Sequence, residues 1–253
     1  MSKTGGMMIK SSNPALGEKT FENLQPALAA EGRMTINGTI NKTLIMLVLA
    51  LVPAAWVWDK FYKGGAETVG SWIMIAVIAG LVVAMATIFK KTWAPFTAPL
   101  YAVIEGVVIG GISAIAEAQF QGIVFQAAAL TFGTLLALLV AYRTGVIKVT
   151  ERFRLGVVAA TGGIFVVYLI SIVLGFFGVN VPFIHSGGTI GILFSLFVVV
   201  IAALNLVLDF DFIERGAAEG APKYMEWYGA FGLIVTLIWL YIEFLRLLTK
   251  LRQ

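Results

Sequence analysis

Seven apolar runs follow one another along this chain, and they constrain its fold more than any other feature. They lie at roughly 43–58, 69–89, 95–116, 123–142, 155–178, 188–209 and 226–248. About 20 apolar residues in a helix rise far enough to cross roughly 30 Å of hydrocarbon, and most of the runs reach that length. The first is short and holds Pro53, so Lys42 and Lys60 extend it by snorkelling. None of the runs alternates with period two, which argues against a β-barrel. Helices satisfy their own backbone groups in lipid. The expected fold is therefore all-α: a polytopic membrane protein with seven transmembrane helices.

Composition agrees with that reading. Of 253 residues, 59% are hydrophobic and 13% charged, whereas a soluble domain has about 45–50% and about 25%. An ordinary soluble globule and a disordered chain are both excluded. There is no cysteine, hence no disulfide, thiolate metal site or thiol nucleophile. A single histidine, His185, excludes a multi-histidine metal centre. The net charge of +4 sits between apolar runs rather than on a binding patch. It speaks for membrane orientation and against nucleic acid. The lipid bilayer is the expected partner.

Residues 1–42 are polar and mixed, and read as a largely flexible tail with a short interfacial helix near Phe21–Leu28. Residues 1–35 are expected to pack poorly. No apolar stretch follows the first methionine, so the tail does not read as a signal peptide. Residues 43–253 form the membrane domain. Lys3, Lys10, Lys19, Arg33, Lys42, Lys90, Lys91, Arg143, Lys148, Arg152, Arg154, Arg215 and Lys223 fall on one side. Lys60, Lys63, Arg246, Lys250 and Arg252 fall on the other. The positive-inside rule then places the N-terminus in the cytoplasm of a multi-pass protein of the cell inner (plasma) membrane. The basic C-terminus fits that orientation poorly, and a re-entrant last segment is the alternative. Gly106 and Gly110, and Thr161 with Gly162 and Gly163, read as helix-packing positions.

Charged side chains inside apolar runs cost about 2.5–3.5 kcal/mol each on insertion scales, and mark function by default. Glu105 lies ten residues into the third run, roughly 15 Å deep. It reads either as functional or as a neutral structural group bonded to a neighbouring helix, the fifth-helix backbone near Gly162. Asp209 ends the sixth run in LDFDFIER, on a polar stripe with Ser195 and Asn205. Asn205, one turn away, is placed to bond it. Asp211 and Glu214 read as solvated interfacial charges. Gly229, Gly232, Thr236 and Glu243 form one stripe of the seventh run, which predicts a face turned to protein. Glu243 has two readings, function or pairing with Arg246 or Lys250. Lys90 and Lys91 read as interfacial anchors that can also reach a mouth near Asp209.

IAALNLVLDFDFIERG, then APKYMEWYGAFGLIVTLIWLYIEFLRLL, and the early SSNPAL resemble the Bax inhibitor-1/YccA family, also called the transmembrane Bax inhibitor motif family. VPFIHSGGTIGILFS fits its bacterial branch. The resemblance runs along nearly the whole chain. It implies a central seventh helix wrapped by six others. It also implies a pH-sensitive calcium leak and, in some members, modulation of a membrane-bound AAA protease. The family's gate pairs an acid at the end of the sixth helix with one in the middle of the seventh. The first maps onto Asp209, but the second falls on Thr236, which carries no charge. Glu105 is the expected substitute, facing Asp209 across one cavity. A basic residue of the family falls on Lys90.

Three function classes follow. A cation leak would use Asp209, Glu105, Asn205, Thr236, Asp211, Glu243 and Lys90, since calcium prefers hard oxygen ligands. A non-transporting regulator would bind a membrane protease or another partner. An intramembrane enzyme is not expected: no Gly-x-Gly-Asp follows LDFD, and no His-Glu-x-x-His is present. No resident cofactor is expected, and calcium enters only as a transported ion.

Overall fold

A computed structural model describes residues 32–178 and 188–253. Among them, seven helices are long and apolar enough to cross a membrane. They are α1 (Ile36–Gly64), α2 (Ala66–Phe89), α3 (Ala94–Gln119), α4 (Ile123–Arg143), α5 (Glu151–Phe176), α6 (Thr189–Ala218) and α7 (Met225–Arg252). A 3-10 turn at Lys91–Trp93 joins α2 to α3. Leu51, Met74, Leu81, Phe165 and Ile172 of α1, α2 and α5 lie exposed, a surface that only lipid would cover without cost.

Local chemistry sets the helix ends. Thr35 caps α1, its hydroxyl accepting from Gly38 N at 2.9 Å, and Thr150 caps α5 through Phe153 N at 3.2 Å. Such caps satisfy donors that a helix leaves open. Gly65 turns α1 into α2 at φ 77°, where a side chain would be strained. The first helix starts at Ile36 rather than near residue 43, because the Thr35 cap lets the polar segment INGTINK wind with the apolar one.

The core is α7. It packs against α1, α3, α4 and α6, and 72% of its most apolar stretch is buried, against 11% for α5. Phe231, Ile234 and Leu240 are almost fully enclosed. Thr236 is buried too, so the small and polar stripe faces protein as expected. The re-entrant alternative is corrected: α7 runs as one helix through Arg252.

Gly106 and Gly110 let α3 press directly onto α1. A Cβ at Gly106 would lie 2.2 Å from Ala50 O, and one at Gly110 2.5 Å from Ala54 O. Gly162 and Gly163 are different, with open space where a Cβ would go. They expose a lipid-side surface of α5, so the packing role expected for them is corrected.

The segment before α1 is anchored. Arg33 bridges to Pro222, Met34 N donates to Ala221 O at 2.7 Å, and Met34 is buried. Poor packing up to residue 35 is therefore corrected for Arg33–Thr35. The expected helix near Phe21–Leu28, and His185, lie outside the described residues.

Candidate functional site

A row of polar groups runs along the seam between α5, α6 and α7. On α7, Gly229, Thr236, Glu243 and Lys250 recur every seven residues. Seven residues make nearly two turns, so these positions share a face, about 10 Å apart along the axis. Ile213 of α6 meets Gly229. Asp209 of α6 meets Gly232 and Thr236. Tyr168 of α5 meets Glu243, and Ser195 of α6 meets Lys250.

Asp209 is the most unusual member. It is only 3% exposed. Thr236 stands beside its carboxyl with its own hydroxyl donating to Gly232 O at 3.2 Å, and Oδ2 of Asp209 has no protein hydrogen-bond partner among the described residues. Buried polar atoms are almost always bonded, so an orphaned carboxylate oxygen marks a place that water, a proton or a cation serves. Gly232 leaves the space open, its missing Cβ lying 3.9 Å from Asp209 Oδ1.

Asn205 does not bond Asp209, and that expectation is corrected. Its Nδ2 donates to Thr161 Oγ1 and to Ile201 O, both at 2.8 Å. The amide therefore ties α6 to α5 instead of feeding the carboxylate.

Asp211 is not a solvated interfacial charge. It is buried and accepts from Arg154 Nη2 of α5 at 2.9 Å and from Arg215 Nε at 3.0 Å. A charge that leaves water needs such partners. Glu214 instead accepts from the Tyr142 hydroxyl of α4 at 2.6 Å.

Glu243, 1% exposed, pairs with Arg246 at 3.0 Å. It also accepts from the Tyr168 hydroxyl at 3.0 Å and from Trp239 Nε1 at 3.3 Å. Pairing with Arg246 is thus the geometry observed. Lys250 takes other acceptors, Ser195 Oγ at 2.8 Å and Gly191 O at 3.0 Å.

Glu105 and Asp209 do not share a cavity, which corrects the expected two-carboxylate pair. α3 packs against α1, α2 and α7, and forms no packed pair with α6. The Glu105 carboxyl fits the notch at Gly80 of α2, where a Cβ would lie 2.8 Å from its Oε1. Tyr101 stands beside it, one turn earlier on the same helix. The alternative contact near Gly162 is also not formed. Lys90 is exposed, with its ammonium 4.3 Å from the Trp93 ring centroid. Lys91 reaches further in, 5.7 Å from the Tyr228 ring centroid.

Two features escaped the sequence reading. The first is Glu226, fully buried, which accepts from Thr35 N and Oγ1 at 2.9 Å each. It also pairs with Lys42 and with Lys223. It clamps the start of α1 to the start of α7, in the space left by Gly38. The second is the inner stripe of α5, where Arg154, Thr161 and Tyr168 meet Asp211, Asn205 and Glu243 in turn. Val157 and Ile164 are the buried apolar positions between them. The heptad spacing of these five residues was the signal for it.

Among the described residues, no group of three or more His, Cys, Asp or Glu side chains is arranged to hold a metal ion. An ion at Asp209 would meet one carboxylate with hydroxyl and carbonyl oxygens nearby. Calcium takes about 6–8 oxygen ligands, so this donor set falls short of a storage site.

A family model described as Bax inhibitor 1 like matches residues 13–253. No curated protein and no solved structure gives a match.

Proposed function

Because this chain belongs to the Bax inhibitor 1-like family, we propose that it is a pH-sensitive cation leak, with calcium as its ion and Asp209 as its gate. The observation that carries the reading is the orphaned carboxylate oxygen of Asp209, buried against Gly232 and Thr236 of the central helix. An ionised carboxylate there attracts a cation into the seam, and a protonated one does not. The two-acid pair implied by the family pattern reduces here to one acid and a threonine.

The seam supports the reading in a second way. Its polar groups continue from Arg154 and Asp211 at one end, through Asp209, Thr161 and Asn205, to Glu243 and Lys250 at the other. A helix interface that were structural alone would need fewer such groups, since each is costly in lipid. The N-terminus is assigned to the cytoplasm of the inner membrane. Arg33, Lys42, Lys90, Lys91, Arg143, Lys148, Arg152, Arg154, Arg215 and Lys223 all belong to that end of the helices or its connections.

The test is calcium flux into liposomes holding the purified protein, at pH 6 and at pH 8. Flux that differs between the two supports the leak. Absence of flux at both would leave a non-transporting regulator of a membrane protease as the better reading.

A further inference from the structure

The C-terminal end of the seam carries an excess cation. Lys250 is 5% exposed, and its ammonium is held by two neutral oxygens, Ser195 Oγ and Gly191 O. Among the described residues no carboxylate lies within ion-pair distance of it. Glu243, two turns away on the same face, is engaged by Arg246. No other Asp or Glu side chain is near it in sequence: none follows Glu243, and between Glu151 and Asp209 there is none at all, which includes the whole α5–α6 connection. Glu117 is used at the start of α4, on Gly122 N and Val124 N, and Asp59 pairs with Lys63. Glu243, Arg246 and Lys250 together therefore leave one net positive charge in a buried place. A buried ammonium without a counter-ion is expensive, and a methionine or leucine would fill the same space more cheaply.

We infer that Lys250 is the charge barrier of the ion path, a specificity-determining residue that holds back divalent cations more than monovalent ones. This rests on the leak reading above. A cation drawn to Asp209 that continues along the α7 face passes Thr236, then the neutralised Glu243–Arg246 pair, and then meets the Lys250 ammonium. Repulsion from a fixed charge scales with the charge of the passing ion. The same ammonium therefore raises the barrier twice as much for calcium as for potassium. That keeps the path a slow leak, although its middle carries an attracting carboxylate.

The scaling supplies the test. Calcium and potassium fluxes are measured in liposomes for the wild type, Lys250→Met, Lys250→Gln and Lys250→Arg. Lys250→Met matches the side chain in size, and Lys250→Gln keeps a donor for Ser195 and Gly191. Either neutral variant suffices if the other fails to fold. The expected result is that calcium flux rises as about the square of the potassium rise, roughly hundredfold where potassium rises tenfold. Lys250→Arg stays at the wild-type level. Equal rises for both ions would mean a widened path and would overturn the inference. So would unchanged fluxes in a wild type that conducts, or an arginine variant as leaky as the neutral ones. If neither the wild type nor any variant conducts, the leak reading itself fails.

Discussion

Arg154 on α5 and Asp211 on α6 are joined across the helix interface at 2.9 Å, and both are buried. Arg215 grips the second oxygen of the same carboxylate. Further polar ties hold α5 to the bundle, Thr161 to Asn205 and Tyr168 to Glu243 among them. Between them, among the described residues, lie buried Val157 and a small apolar cluster of Ile164, Val198 and Ile201. A helix with so little buried apolar surface depends on its polar ties.

Removing one partner of the buried pair leaves the other with weaker company, Arg215 for Asp211 and Glu151 for Arg154, a loss of about 1.5–3 kcal/mol for a charged hydrogen bond. Arg154→Met and Asp211→Leu should each lower thermal stability in detergent by that order. The double variant should lose clearly less than the sum, because the bond between the two positions can be lost only once. Additive losses would show that the two side chains are not coupled.

The contact of α1 with α3 gives a second prediction. At Gly106 and Gly110 the neighbouring atoms are backbone, which cannot swing away. Gly106→Ala should cost about 1–3 kcal/mol or more through overpacking. Gly133→Ala of α4, where a Cβ meets open space, should be neutral by the same thermal measurement. Equal behaviour of the two variants would contradict the close approach.

Glu226 gives a third. Its carboxylate holds Thr35, Lys42 and Lys223 at once. Glu226→Ala should destabilise by roughly 2–3 kcal/mol, a hydrogen-bonded charge being worth about 1.5–3. It should also release the start of α1, so that limited proteolysis cuts near Arg33 and Lys42 faster than in the wild type. Unchanged cleavage would show that the clamp is not what fixes this segment.

The sequence disclosed the bundle far better than the site. Long apolar runs can only be helices in lipid, and the glycines and threonine of the seventh run marked the face that α7 turns inward. Residue depth along a helix was also readable, since rise per residue is fixed. Partners across helices were not. Glu105 and Thr236 stand at similar depth, but α3 turns Glu105 toward Gly80 of α2, and depth carries no information about direction. Asp211 looked solvated because it stands near the end of an apolar run; the arginine that buries it comes from another helix. Asn205 stood one turn from Asp209, yet Thr161 on α5 claims its amide.

If Asp209 gates a cation path, the pH dependence of the flux has a definite sign. The ionised carboxylate attracts the ion, so flux should rise with pH as Asp209 loses its proton and fall as it gains one. Thr236 of α7 and the backbone at Gly232 face it and carry no charge, while Asp211 on its own helix is neutralised by Arg154 and Arg215. The most direct measurement is calcium flux against pH for the wild type and for Asp209→Asn in the same liposomes. The wild-type flux should climb as pH rises, and Asp209→Asn should give a flat, low profile. An Asp209→Asn protein that keeps both the wild-type flux and its pH dependence would contradict a gate at Asp209.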